Sequence, residues 1–415
     1  MSVSLASASQ PLKFSGGASI HLHAANVLLN HTAAECFHRQ VYDLLVRHLQ
    51  VSVTIDGLVI DGLGKSHEAK ALFARACEVL QSAVSDACAH SASVSVAVDA
   101  DQFSPQFSWS VRRKVLGPGP VYLLLGSSLM RPSGNEAVRQ QQDCFWRQCW
   151  KLRNNRLVRT AFAPQVMSPC PLLSSEVARG VSPISGLQVP VGTAWIPMQA
   201  NLAKFANGCG ELNEPALREY LQRCVELGES SHDDVDWPTA AMRHDSWLNR
   251  RIAITVSGIG DLTKLWSMDP RSFTTLKKLS TLLQQVRGVI NDCSRQLALQ
   301  TEYLPALDLS DPSRGSGCEV VQLDWQKRWR KALDFAAIRH RNLLAMSPWS
   351  VFPAGEPADS RYSDLLPLLE FTDACAFPAP PCLRDWNVNE YKHFHRHAWA
   401  VLERRDARQQ FAEQV

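Results

Sequence analysis

The chain reads as an α/β protein with a largely parallel sheet or barrel. Two observations predict this. Short alternating or β-branched segments recur at 51–60, 93–99, 120–125, 251–257 and 342–352, and helical periodicity separates several of them. The 415 residues are 45% hydrophobic and 20% charged, enough apolar material for a sizeable core, and no break in composition forces a second domain.

In order along the chain, residues 1–18 are rich in Ser, Ala and Gly and are expected to be a flexible arm ahead of one domain spanning 19–415. The apolar stretch 20–29 fits a strand or a helix start. Residues 35–48 carry Phe37, Val41, Leu44 and Leu45 at helical spacing, and Asp-Gly pairs flank the strand pattern at 51–60. A long amphipathic helix is expected from Ser66 to about 89, a strand at 93–99, and another at 120–125 after the Gly-Pro-Gly-Pro turn signal. A helix follows at 134–153. Residues 163–195 are broken by Pro, Ser and Gly, and a loop of that length inside a compact protein usually carries function. Helices are then expected at 214–228, 270–300 and 324–338, and a terminal helix at 388–413. Several tryptophans fall in expected helices, with Trp146 and Trp150 four apart, which marks a packing face.

Charge and composition exclude some functions. Forty-three basic against 40 acidic residues leave +3, without the basic excess of a nucleic-acid binder. No apolar run reaches the ~20 residues of a membrane span. The first 14 residues lack the pattern of a secretory signal, so a cytoplasmic setting is expected, with the twelve cysteines mostly reduced and buried as small hydrophobes.

Four constellations bear on chemistry. Gly258-Ile259-Gly260 lacks the third glycine and the later acidic residue of a dinucleotide fingerprint, so it reads as a tight strand-to-helix turn. His393, His395 and His397, with Cys375 and Cys382 upstream, have zinc-binding atoms, but only His393 and His397 would share a helix face; no metal site is expected. Cys170 lies between Pro169 and Pro171, on a backbone stiff enough to present a thiol at a fixed place. A cysteine hydrolase using Cys170 with His21, His23 or His38 has only residue types in its favour.

Several stretches, taken together, resemble the catalytic subunit of ribonucleotide reductases and the related glycyl-radical enzymes. Ala200-Asn201-Leu202-Ala203-Lys204-Phe205 is similar to the family's Ile-Asn-Leu-Ala-Lys-Phe element. Arg250-Arg251-Ile252-Ala253 through Gly258-Ile259-Gly260-Asp261-Leu262 resembles its Arg-Arg-Ile-Gly…Gly-Leu-Ala-Asp-Leu strand and turn. Arg341-Asn342 through Leu344-Ala345-Met346-Ser347-Pro348 resembles the strand whose following loop binds substrate phosphate. Ser19-Ile20-His21-Leu22-His23, followed by Glu35-Cys36, resembles the Ile-His-Ile-His…Cys opening of the anaerobic and cobalamin-dependent branches. These matches run in family order from about residue 18 to 355.

The resemblance implies a ten-stranded α/β barrel with a central finger loop. Met167-Ser168-Pro169-Cys170 would occupy that loop, making Cys170 the residue that becomes a thiyl radical, and Cys36 would be the barrel cysteine acting as redox partner. Glu176 or Glu35 would serve as acid or base, and Ser168, Asn201, Ser347 and Ser350 would contact substrate. The substrate would be a nucleotide or another small hydroxylated metabolite. The radical would come from adenosylcobalamin or from a partner protein, and a homodimer is compatible with the fold. The sequence departs from the pattern: Ser168 and Leu172 replace the finger-loop Asn and Glu, Trp349-Ser350 replaces the phosphate-binding residue after Ala-Pro, and no C-terminal glycyl-radical element or Tyr-Tyr pair is present. Ser174-Ser175-Glu176 offers a second register, with Ser174 at the radical position. Ordinary ribonucleotide reduction is therefore not expected. The rival expectation is a catalytically inactive protein of the same fold that binds a small molecule or regulates a partner.

Overall fold

The structure, a computed structural model, describes residues 16–23, 31–56, 66–89, 94–99, 121–125, 134–152, 158–162, 178–183, 188–190, 192–268, 272–301, 341–342, 344–347, 387–390 and 392. Ser168, Cys170, Ser174, Glu176 and Ser350 lie outside these residues, as do Cys375, Cys382, the three C-terminal histidines, the helix expected at 324–338 and most of that expected at 388–413.

Strand β1 (Gly16–His23) is followed by helix α1 (His31–Leu45), β2 (Leu49–Asp56), α2 (Ser66–Asp86), β3 (Val94–Asp99), β4 (Val121–Leu125), α3 (Glu136–Leu152) and β5 (Val158–Phe162). These five strands pair in sequence order, all parallel. A short antiparallel ribbon follows, β6 (Ala178–Val181) with β7 (Gln188–Pro190). Then come β8 (Ala194–Asn201), a 3₁₀ turn (Leu202–Phe205), α4 (Glu214–Asp234), α5 (Ala240–Asn249), β9 (Ile252–Ser257), α6 (Ile259–Leu265), α7 (Phe273–Gln300) and β10 (Leu344–Ser347). Strands β8, β9 and β10 form a second parallel ladder.

The two ladders run in opposite directions and join where β1 and β8 begin. Gly17 pairs with Trp195 and Ala18 with Ala194, antiparallel, and Ser19 adds backbone and side-chain hydrogen bonds to Thr193. The result is an eight-stranded sheet that does not close among the described residues, with β10 and β5 at its edges. The expected mixed α/β class is observed.

The two faces of this sheet differ. On one, Ala18, Ile20, Leu22, Val51, Val53, Ile55, Val94 and Val96 meet Ala34, Phe37, Val41 and Leu44 of α1 and Phe73, Ala76, Leu80 and Ala83 of α2, all buried. Ile196, Met198, Ala200, Ile252, Ile254 and Val256 continue that face under α4 and α7. Alternation sends Ser19, Gln50, Ser52, Thr54, Ser95 and Thr255 to the other face, where they are buried too. Strand β6 lies across this inner, polar face, and Ser182 just beyond it donates a 3.0 Å hydrogen bond to Gln50 Oε1.

Some boundaries differ from those expected. Gly16, Gly17 and Ala18, expected to belong to the arm 1–18, are buried in β1, and residues 1–15 lie outside the described residues. Glycine is required there by packing: a Cβ on Gly17 would sit 2.2 Å from the Trp195 indole. Helix α4 runs past Gly228 to Asp234, since Gly228 is a packing residue against Ile252 and not a terminator. Helix α5 was not expected; only Met242 and Ser246 of it are buried, too few for a periodic signal. Strand β8 was hidden by Pro197 within a Pro- and Gly-rich run. The Ile196 N–H bonds to Arg251 O on the β9 side, so Pro197 turns its missing N–H away from the β9 ladder, and the described pairing with β1 stops at Trp195. Among the described residues, no helix is long and apolar enough to cross a membrane.

Candidate functional site

In a parallel sheet, side chains and turns at the carboxyl ends of strands are the ones free to meet a ligand. At that end of β8–β9–β10, Asn201 pairs with Ser257, and Ser347 pairs with Thr255 two residues earlier on β9. The resemblance named Asn201 and Ser347 separately; the ladder brings them to one edge. Asn201 is 8% exposed and caps the 3₁₀ turn, its Oδ1 accepting the Ala203 N–H at 3.1 Å. The same amide oxygen lies against Gly258, where a Cβ would come within 2.1 Å of it. Gly258 has φ +78° and N-caps α6, so the strand-to-helix turn expected at Gly258-Ile259-Gly260 is present. Asn201 thus has a structural duty in locking two turns together.

The first turn of α6 carries Asp261, which the sequence places in the family-like turn without assigning it a role. Burial pushes its carboxyl up to about 6, against the opposing pull of Lys264. The signal available was an acidic residue directly after a Gly-x-Gly turn.

The amino ends of the same strands are held by charge. Glu229 on α4 receives Arg250 Nε at 2.7 Å and Arg341 Nε at 2.6 Å on one carboxylate oxygen, and Asn342 Nδ2 on the other. Arg250, 3% exposed, also donates through both terminal nitrogens to Asp233, whose carboxyl that pairing holds below the usual carboxylate range. Residues 341–342 are further tied to α7 through Ser294. Asp245 accepts from the Ala194 N–H at 2.8 Å and pairs with Arg251. Buried His232 bonds Ser246 Oγ at 2.7 Å and Arg251 O at 3.1 Å. A carbonyl can only accept, so Nε2 carries the proton. Burial lowers the His232 pKa to about 3, helped by the Arg250 and Arg341 charges. These groups anchor strand starts, the end of a sheet where stability is built.

Cys36 and Glu35 require a correction. The resemblance put Cys36 inside a barrel; the structure places it exposed on α1, beside exposed Glu35. The reason is periodicity: Ala34, Phe37, Val41 and Leu44 take the buried stripe, leaving 35 and 36 on the opposite side. Glu35 pairs with His31 at 3.2 Å and lines a groove of about 840 Å³ between α1 and α2, where His38 Nε2 lies 2.9 Å from Asp86. That groove is on the helical side of the sheet. Of the other described thiols, Cys88 and Cys209 are exposed, while Cys77, Cys224 and Cys293 are buried. Burial pushes Cys224 up to about 12 and Cys293 to about 11, so both are unreactive thiols. Among the side chains described, no three of His, Cys, Asp and Glu gather around a common point.

No family model matches the chain, and no curated protein matches it. A solved structure does: the alpha subunit of the class Id ribonucleotide reductase from Actinobacillus ureae, at TM-score 0.52 and 11% identity. The likeness is one of fold. It covers 81% of this chain and 59% of that one, so the chain spans less than two thirds of the reductase subunit.

Proposed function

We propose that the chain is a divergent radical protein on the ribonucleotide-reductase fold, with Cys170 as its working cysteine. The observation that carries this reading is the position of β6. The segment 163–177, which contains Cys170, leads from β5 directly into β6, and β6 lies on the polar inner face against β1, β2 and β3. A loop returning to that face is suited to act as the finger of a ten-stranded barrel, two strands larger than the described sheet. The distant fold likeness and the ordered motifs around Asn201, Arg250–Arg251 and Arg341–Asn342 point the same way.

In this reading a thiyl on Cys170 takes a hydrogen atom from a carbon of a small hydroxylated metabolite, a nucleotide among them. The S–H bond forms, the C–H bond breaks, and the unpaired electron moves to carbon. An inner face lined by short hydroxyl side chains holds such a substrate and limits access of water. Asn201 and Ser347 stand at the carboxyl ends where it would be held, and Ser350 would join them. Ser168 would flank it, and Glu176 is the acid or base. The radical is supplied by a separate generator, such as a partner protein. The grooves seen between helices lie away from the inner face.

Replacing Cys170 by Ala should abolish turnover on a nucleotide pool supplied with a radical generator, and the circular dichroism spectrum should be unchanged. An active Cys170→Ala protein would sink the reading.

A second reading, a non-catalytic binding or regulatory protein of this fold, is favoured by one observation: Cys36, which the resemblance made the second thiol of the inner face, is exposed on α1. It predicts binding of a small molecule with no radical signal in electron paramagnetic resonance.

A further inference from the structure

The inner face of the first ladder is built in rows. Gly17 pairs with Gln50; Ser19, Ser52 and Ser95 form the next row; His21 pairs with Thr54 in the one after. Val53 and Ile55 belong to the core under the helices, so alternation turns Ser52 and Thr54 to the inner side. Strand β6 and Ser182 close the first two rows. Ser182 bonds Gln50 Oε1 at 3.0 Å, and a Cβ on Gly180 would stand 2.8 Å from Ser52 Oγ. Ser19 bonds Thr193, and Ser52 and Ser95 are partnered as well.

Thr54 differs. It is 3% exposed, and its hydroxyl has no hydrogen-bond partner among the described residues. The fold does not call for that hydroxyl. Valine has the same shape, suits a strand at least as well, and has no polar atom to leave unmatched. Unmatched buried polar groups are rare enough in folded proteins that each needs a cause. The surroundings supply one. His21, the neighbour of Thr54 on β1, is exposed, so solvent comes within about one strand spacing, roughly 4.8 Å, of the buried hydroxyl.

This end of the face is not the edge that carries Asn201 and Ser347. From the Gly17–Trp195 pair, β1 runs four residues to His21 in one direction, and β8 runs six residues to Asn201 in the other. Ten residues of strand span about 33 Å, so a small molecule at Thr54 is out of reach of Asn201.

We propose that the carboxyl end of the first ladder holds a small uncharged, hydroxylated molecule, with the Thr54 hydroxyl as one of its hydrogen-bond partners. Ser19, Ser52, Thr54 and Ser95, the buried polar residues of these two rows, carry hydroxyls and no charge. A buried ionic group would find no counter-charge among them, whereas an alcohol exchanges hydrogen bonds with a hydroxyl that both donates and accepts. The site stands on strand register and burial, independently of Cys170.

The test is binding of adenosine and of ribose to the full chain, read by ligand-observed NMR titration with no radical generator present, so its outcome is separate from that of the Cys170→Ala turnover test. At least one of the two is expected to bind. Thr54→Val should weaken that binding by about three- to tenfold, the worth of one hydrogen bond, while the urea midpoint stays level or rises. Thr54→Ser, which keeps the hydroxyl, should retain the wild-type affinity. The proposal is overturned if neither probe binds, if inorganic phosphate displaces the bound probe, or if Thr54→Val binds as well as the wild type, which would assign the hydroxyl to an ordered water. A Thr54→Val chain that fails to fold, or unfolds at lower urea than the wild type, also overturns it, because the hydroxyl would then serve the fold.

Discussion

Glu229 is the residue whose loss should cost most. Its carboxylate serves Arg250, Arg341 and Asn342 at once, and Arg250 is nearly inaccessible. Glu229→Ala takes one of its two carboxylate partners from Arg250 and the paired carboxylate from Arg341, and the expected loss is about 3 kcal/mol in urea unfolding. Asp233, 71% exposed, is the control: Asp233→Ala should cost no more than about 1 kcal/mol. His232 sets a pH dependence. Its folded pKa of about 3 lies below the ordinary 6.5, so below that pH the unfolded chain binds a proton that the folded chain refuses. Stability should fall by up to about 1.4 kcal/mol per pH unit from about pH 6.5 down to about 3. A His232→Gln protein followed by denaturant midpoints over that range should show a flatter slope; an unchanged slope would assign the effect to other groups. Arg250, Arg251, Arg341 and Asn342 were visible in the sequence as a resemblance. That Glu229 binds two of those arginines and the asparagine was not, because it lies 112 residues before Arg341 on a helix whose charge pattern looks like any solvated face.

At the level of elements, the β9–α6 turn is the most exacting. Gly258 combines φ +78° with contact against Asn201 Oδ1 and the Ala203 backbone. Gly258→Ala meets both a strained backbone and a clash, so a destabilisation of more than about 1 kcal/mol is expected in thermal unfolding. An unaffected variant would mean that the 3₁₀ turn after β8 can shift. This turn was legible because glycine after a strand has a local cause. Helices α1, α2, α4 and α7 were legible for the same reason: their buried stripes recur every three to four residues. Strand β8 was not, since its tolerance of Pro197 depends on which side of the strand bonds to β9, a fact about a neighbour far along the chain.

On the scale of the molecule, sequence order alone determined the class: alternating strands and helices, and enough apolar residues for one extensive core; Asn201, Ser347 and Cys170 were nominated by the family resemblance. Local rules are sufficient there, because periodicity, turns and short motifs are each set by a few neighbouring side chains. The tertiary structure decided how the pieces face. It set two parallel ladders against each other at Gly17 and Trp195, turned one face of the sheet polar, and laid β6 across that face. It also sent Cys36 and Glu35 to the outside. No local pattern contains that information. A residue's face follows from its strand's period, but which residues share an edge follows from the register between strands far apart in the chain, and register is fixed only when the whole sheet buries its apolar side.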